Sequence, residues 1–288
     1  MKNSIDKTIL GRTGLPVTRL GYGAGHRKPM DDSQRDMILR SVLDSGINFI
    51  DTADDYGNSE ELIGKYISHR KEEYYLATKC CGSSAGHVWT VQNAFDTLHQ
   101  SLRRLKTDCI DLMQLHNPTV EECLSGDLVN ALQEMQRQGK VKWIGISTSL
   151  PDLSEYLEWN VFDTFQLDYS AMRRENEKWI KKVSDLGAGI IIRGGVALGE
   201  PGSGLGEPDM WMNFDKAGLD DLREHGESRT AFMLRFTISH IDVDTAIVGT
   251  TNPNHLLENL EAALKGPLTP DVYNEVKRRT KEVGIEVL

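Results

Sequence analysis

The sequence predicts a (β/α)8 (TIM) barrel with an N-terminal β-hairpin and an extra C-terminal helix, residues 1–288 forming one domain. Three observations carry this. Eight short apolar, β-branched segments alternate with helical patterns along the chain. Such alternation implies parallel strands joined by right-handed crossovers, and eight units in about 250 residues is the size of this barrel. An open doubly wound sheet needs a glycine fingerprint leading straight into a helix, and "GYGAGHRKPM" (21–30) has neither the spacing nor the helix.

The elements follow in order. "KTILGRTGLPVTRL" (7–20) reads as a hairpin turning at Arg12–Gly14 that could plug one barrel end. Barrel strands are expected at Leu20–Ala24, Asn48–Ala53, Tyr74–Lys79, Cys109–His116, Val141–Thr148, Thr164–Ser170, Gly189–Gly194 and Thr245–Thr250. Asp32 or Ser33 could cap the first helix, and Asn58 with Glu61 resembles a capping box on the second. Ala94, Leu98, Leu102 and Leu105 recur at helical spacing, as do Leu128, Leu132 and Met135, and Leu256, Leu260 and Ala263. Gly139 of "RQGK" is placed to end a helix. Val196 to Ala217 is rich in Gly and Pro and reads as a long loop without obvious structure. "TPDVYNEVKRRTKEV" (269–283) reads as the extra helix.

Composition narrows the function classes. Hydrophobic residues make up 39% and charged residues 26%, as in ordinary globular proteins. The net charge of −10 argues against a nucleic-acid or anionic-membrane surface. Four cysteines, Cys80, Cys81, Cys109 and Cys123, show neither disulfide nor zinc spacing, so no metal is expected and a reducing compartment is. The N-terminus lacks a signal-peptide core, and no segment has the apolar length of a membrane span. A cytoplasmic protein is the expectation.

Barrel active sites lie at the C-terminal strand ends. Strand two ends near Asp51 with Tyr56 on the loop beyond, strand three ends at Lys79, and strand four at His116. A phenol has an ordinary pKa of about 10, and a nearby ammonium lowers it. A carboxylate would hold that Lys charged, and a His could orient a substrate oxygen. Together they match a proton donor to a developing alkoxide, which implies hydride delivery to a carbonyl carbon. Asp54 and Asp55 read as turn residues.

The chain resembles the aldo-keto reductase family over nearly its whole length. The resemblance rests on "LGRTGLPVTRLGYGAG", "GINFIDTADDYGNSEELIG", "LATK", "SLRRLKTDCIDLMQLHNP", "GKVKWIGIST", "FQLDYS" and "AIVGTTNPNHLLENLEAAL". It implies NAD(P)H-dependent reduction of an aldehyde or ketone, with the cofactor extended across the strand ends. Asp51, Tyr56, Lys79 and His116 would be the catalytic tetrad and Tyr56 the general acid. Gly23 and Ala24 match cofactor-contacting positions, and Ser147 and Gln166 match residues that hold the nicotinamide carboxamide. Gly249, Thr250, Thr251, His255, Glu258 and Asn259 match the adenosine end, where a helix N-terminus would attract phosphate.

Two departures stand out. Arg193 of "GIIIRGGVALG" occupies a place where many members have an aromatic residue; with Gly194 and Gly195 it is expected against the nicotinamide ring or pyrophosphate. A cation beside the ring would favour the neutral, reduced cofactor. Thr251, Asn252 and His255 stand where NADP-preferring relatives commonly have basic residues that select the 2′-phosphate. The resemblance still leans slightly to NADP(H) over NAD(H). Candidate substrate-pocket residues are His26, His87, Trp89, Asn117 and Met210–Met212, and Asn117 favours a hydroxylated aldehyde or sugar. The enzymatic alternative is an aldose 1-dehydrogenase working in the oxidative direction. A cofactor-binding regulatory subunit is the alternative of another class; it calls for an added docking segment, and the hairpin begins almost at once.

Overall fold

The hairpin forms as expected. In the computed structural model, which describes residues 4–25, 32–83 and 86–288, β1 (Lys7–Ile9) pairs antiparallel with β2 (Pro16–Thr18). A 3₁₀ turn at Gly11–Thr13 joins them, and Gly14 beyond it takes a left-handed φ of 71°. Leu10 and Val17 pack on Phe49, Ala77, Leu112 and Ile191 inside the barrel, so the hairpin seals its N-terminal end. Gly11 is required there. Its φ is +46°, and an added Cβ would lie 2.1 Å from the Gly189 nitrogen.

Eight parallel strands then close a barrel. They are β3 (Leu20–Gly23), β4 (Phe49–Asp51), β5 (Tyr75–Cys80), β8 (Ile110–His116), β9 (Val141–Ser147), β10 (Thr164–Asp168), β11 (Gly189–Arg193) and β12 (Thr245–Val248), with β12 pairing back onto β3. Between β5 and β8 a small hairpin, β6 (Gly82–Ser83) with β7 (Gly86–His87), rises above the rim; it was not expected. Several strands stop short of their expected ends. Pairing ceases where the chain turns off the barrel, so Ala53, Thr148 and Ser170 belong to loops.

Helices cover the outside: α1 (Asp32–Asp44), α2 (Ser59–Tyr66), α3 (Val91–Leu105), α4 (Val120–Ser125), α5 (Leu128–Arg137), α6 (Asp152–Trp159), α7 (Glu177–Asp185), α8 (Pro208–Lys216), α9 (Arg229–Ser239), α10 (Pro253–Lys265) and α11 (Pro270–Glu282). On α3, the residues Ala94, Leu98 and Leu105 are buried as the spacing predicts. Gly139 follows α5 with φ of 70° and acts as its C-terminal stop. The extra helix α11 docks through Tyr273, whose hydroxyl meets that of Tyr169 at 3.0 Å, and through Arg174, which donates to Lys277 O at 2.7 Å.

Two local expectations fail. Asn58 precedes α2 but its side chain caps nothing, and Glu61 turns toward Arg104, 3.8 Å away. The true capping box is Thr119 with Glu122 on α4, both reciprocal bonds present. The Val196–Ala217 segment is not wholly irregular, since α8 lies in it with Trp211 and Phe214 buried. The cap expected at Asp32 or Ser33 falls at the edge of the described residues. No helix among the described residues is long and apolar enough to cross a membrane.

Candidate active site

Parallel register delivers the rim residues in sequence. Gly23 pairs with Asp51, Asp51 with Ala77, Lys79 with Gln114, and His116 with Ser147. Asp51 and Lys79 are 2% and 0% exposed, and their charged groups meet at 2.5 Å. Lys79 also donates to Thr52 O at 2.8 Å. The other Asp51 oxygen accepts from Gln114 Nε2 and Gln166 Nε2, each at 2.9 Å. Three of this carboxylate's four lone-pair directions are therefore occupied. Burial is the largest influence on Lys79 and pulls its pKa down, but Asp51 and Tyr56 overturn it, so the ammonium is retained.

Tyr56 leans over this pair. Lys79 Nζ lies 5.1 Å from its ring centroid, and its ring meets that of His116 edge-on at 5.6 Å. An added Cβ at Gly25 would lie 2.6 Å from the Tyr56 ring, so only glycine leaves the phenol its place. The expected lowering of the Tyr56 pKa is overturned. Burial, the largest influence, raises it, and the nearby Asp51 and Asp55 add to this, outweighing Lys79. At neutral pH Tyr56 holds its proton.

Asp55 lies in a turn, as expected, and also faces two imidazoles. Its carboxylate lies 3.4 Å from His116 Nδ1 and 3.5 Å from His87 Nε2. Burial pushes the Asp55 pKa up, but the two imidazoles outweigh this and hold it low. These three side chains bring ligand-type atoms within 4.8 Å of one another. Trp89 stacks flat on His87 at 4.8 Å and lines neither cleft described below. His26 lies outside the described residues.

Ser147, Asn117 and Arg193 form a second polar chain. Ser147 donates to Asn117 Oδ1 at 2.9 Å. Arg193 reaches the same oxygen at 3.4 Å and Ser149 Oγ at 3.2 Å, and pairs with Asp168 at 3.1 Å. The redox bias expected from Arg193 is thereby weakened, because its charge is compensated within the protein. Asn117 holds this chain together, its φ being 63°.

Two clefts share Gly25 and so run together across the strand ends. The larger, about 820 Å³, is lined by Gly23, Asp51, Tyr56, Gln166, Arg193 and Met210, among others. The other, about 420 Å³, gathers Gly194, Gly195 and Gly249 with Thr250, Thr251 and, from α10, His255, Glu258 and Asn259. Ala24 is buried and its N–H donates to Asp51 O at 2.7 Å, so it braces the rim from behind. In the second cleft Asn259 is 4% exposed and its Oδ1 has no hydrogen-bond partner. A buried acceptor without a donor fits the exocyclic amine of an adenine, and the glycines leave room for a pyrophosphate.

Residues 19–203 match the Aldo/keto reductase family. The chain belongs to that family. This aldo-keto reductase is 28% identical over 298 residues to "Uncharacterized oxidoreductase YqkF" of Bacillus subtilis (strain 168), covering 96% of this chain and 97% of that one. It is 25% identical over 287 residues to "L-galactose dehydrogenase" of Arabidopsis thaliana, covering 90% and 88%. Among solved structures it superposes on the holo form of aldo-keto reductase AKR11C1 from Bacillus halodurans with a TM-score of 0.87 at 26% identity, covering 99% and 98%. The protein is an oxidoreductase, and its clefts fit an NAD(P) cofactor.

Gln114 and Gly25 escaped the sequence reading. Gln114 carried a signal: it alternates with Met113 and Leu115 on β8, in phase with Leu112, which points into the barrel.

Proposed function

We propose that this protein, acting as one barrel domain in the cytoplasm, reduces an aldehyde or ketone to an alcohol with NAD(P)H, Tyr56 being the general acid. The cofactor supplies hydride from nicotinamide C4. The observation that carries the reading is a half-buried phenol that keeps its proton beside a buried ammonium. Lys79 cannot protonate the substrate itself, because Asp51 and Thr52 O hold its Nζ. It stabilises the phenolate that forms once Tyr56 has given up its proton. His116, packed edge-on to Tyr56 with its Nδ1 3.4 Å from Asp55, directs the carbonyl oxygen toward the phenol. Ser147 and Gln166 stand at the rim where the nicotinamide carboxamide would be held, and the cysteines are free, as a reducing compartment requires.

Oxidation of a sugar at its anomeric carbon is the second reading, favoured by the similarity to L-galactose dehydrogenase. That direction must start from a Tyr56 phenolate. The raised Tyr56 pKa works against it at neutral pH.

The adenosine cleft sets cofactor choice. Its lining offers hydroxyls, His255 and the α10 N-terminus, but no Lys or Arg among the described residues. Without charge-assisted bonds from Arg the slight lean to NADP(H) is weak, and dissociation constants for NADPH and NADH are expected within about tenfold, about 1.4 kcal/mol. Tyr56→Phe tests the mechanism. General-acid loss predicts a kcat about 10²- to 10⁴-fold lower with cofactor binding kept; full turnover would refute it.

A further inference from the structure

The first turn of α1 carries a cation that the mechanism above does not use. α1 follows β3, whose C-terminal residue Gly23 pairs with Asp51 at the rim, so its N-terminal turn lies at the catalytic end. Arg35 stands in that turn and is 6% exposed. Its Nε and Nη1 are buried and have no hydrogen-bond partner among the described residues. Among the described residues no carboxylate lies within ion-pair distance of it. Yet Arg35 lines the catalytic cleft together with Gly25, Asp51, Tyr56, Asn58 and Gln166.

The contrast with the other cations at this rim is sharp. Lys79 is paired with Asp51 and Arg193 with Asp168. The Asp55 carboxylate is taken up by His116 and His87. The remaining carboxylate in the cleft lining, Glu207, precedes α8. Arg35 Nε and Nη1 are thus withdrawn from water and answered by nothing among the described residues. A guanidinium does not escape by deprotonating, since its pKa stays far above neutrality even when desolvation lowers it. An uncompensated buried charge is strongly destabilising, and buried unsatisfied polar groups are rare enough that each calls for a cause. A ligand that brings its own negative charge is such a cause. The planar donor fork suits a carboxylate or phosphate, which accept two parallel N–H bonds.

We propose that Arg35 anchors a carboxylate or phosphate carried by the carbonyl substrate, so that the enzyme acts on anionic aldehydes or ketones. This rests on the carbonyl-reductase reading. The cofactor's 2′-phosphate is the other source of the same chemistry. The structure favours the substrate: Arg35 lines the cleft of Asp51 and Tyr56, and it is absent from the lining of the cleft that holds Thr251, Asn252 and His255. Arg173 lines the catalytic cleft too and supplies a second positive charge there.

The test compares two aldehydes of one shape, 4-carboxybenzaldehyde and its neutral methyl ester, with wild type, Arg35→Gln and Arg35→Lys. Charge-assisted hydrogen bonds are worth about 1.5–3 kcal/mol, so wild-type kcat/KM should favour the acid by about 10- to 100-fold. Arg35→Gln should collapse that ratio toward one, and Arg35→Lys should recover part of it, charge without the fork. Dissociation constants for NADPH and NADH, read from cofactor fluorescence, report whether each variant is folded and whether the 2′-phosphate is the true partner. No preference in wild type, a preference that survives Arg35→Gln, or a loss confined to NADPH affinity each overturns the proposal. Calorimetric titration of terephthalate against neutral terephthalamide into cofactor-loaded protein reads the same site without turnover. If wild type reduces neither aldehyde, the reductase reading fails, and Arg35 stands or falls on whether terephthalate binds and Arg35→Gln abolishes it.

Discussion

Asp51→Asn probes a deeply buried ion pair. The substitution keeps the side-chain shape but removes the charge facing Lys79, and Thr52 O is left as the one remaining acceptor for Nζ. With the groups 2.5 Å apart between heavy atoms, the charge centres lie about 3–4 Å apart. At an effective dielectric constant of about 20, their attraction is about 4–5 kcal/mol. Removing one partner of a buried pair typically costs about 3–5 kcal/mol, because the survivor stays buried and unpaired. Asp51→Asn should therefore lose about 3–5 kcal/mol. Lys79→Met should lose less, since Asp51 keeps the amides of Gln114 and Gln166. The double variant no longer buries an unpaired charge, so its loss should fall short of the sum by about 2 kcal/mol or more. Urea unfolding at pH 7 of the four proteins measures this. Lys79 should also lose its proton at lower pH in Asp51→Asn, so stability of that variant relative to wild type should be worst at neutral pH and recover as Lys79 neutralises on the alkaline side. Additive single losses would mean that the pair is not coupled and that the account of the tetrad's core is wrong.

Other expectations follow from particular contacts. Asp55→Asn removes the charge facing His116 and His87, and kcat/KM should fall about 3- to 10-fold, about 0.7–1.4 kcal/mol, in steady-state assays; an unchanged value removes Asp55 from the site. Asp54 is pushed up to about 7 by burial, its Oδ1 unpartnered and Oδ2 bonded to the Gly82 N–H. Between about pH 4 and 7 the folded form holds a proton that the unfolded chain releases, so stability falls as pH rises through that window. Asp54→Asn should flatten this slope and be about 2–4 kcal/mol more stable than wild type at pH 8, with no difference at pH 4, by urea unfolding. Gly11→Ala and Gly14→Ala both place Ala at positive φ, but only Gly11 has backbone within reach of the new Cβ. Gly14→Ala should cost about 1–2 kcal/mol and Gly11→Ala about twice that or more, and equal drops in Tm would contradict the plug contact.

The barrel was legible because its evidence is periodic and repeated. The strands are short apolar runs, and α3, α5 and α10 repeat a 3.6-residue stripe. The rim residues were legible for a related reason: Asp51, Lys79 and His116 are polar groups at the ends of apolar runs, where a barrel puts its chemistry. What the sequence hid depends on three-dimensional company. "PDMWMNFDK" was lost as a helix inside a Gly- and Pro-rich stretch, although Pro208 at its start and Trp211 with Phe214 on one face were visible cues. Asn58–Glu61 and Thr119–Glu122 have the same spacing; a nearby guanidinium, invisible in sequence, draws Glu61 away. Asp55 lies beside two histidines that are 32 and 61 positions further on. Nothing in the sequence sets Arg35 apart from other helix charges, and only burial makes it an anomaly.

Tyr56 shows why residue types alone misjudge a proton donor. A Lys near a Tyr suggests a phenolate, yet this Lys spends its charge on Asp51, and that carboxylate lies near the phenol as well. Seen from Tyr56, the pair is nearly neutral, and what remains is burial, which favours the phenol. In the proposed mechanism the proton is therefore present before reaction and leaves only when negative charge on a substrate oxygen competes for it. At that moment the same buried pair changes its part. A phenolate forming on a ring whose centroid lies 5.1 Å from Nζ would draw on an ammonium already fixed in place by Asp51 and Thr52 O. Charge preorganised in this way costs no reorganisation when the proton moves. On that proposal the ion pair keeps Tyr56 an acid in the resting site while standing ready to stabilise its conjugate base. Gln114 and Gln166 matter for this reason. By holding the second Asp51 oxygen, they keep the carboxylate from swinging toward the phenol and cancelling that stabilisation.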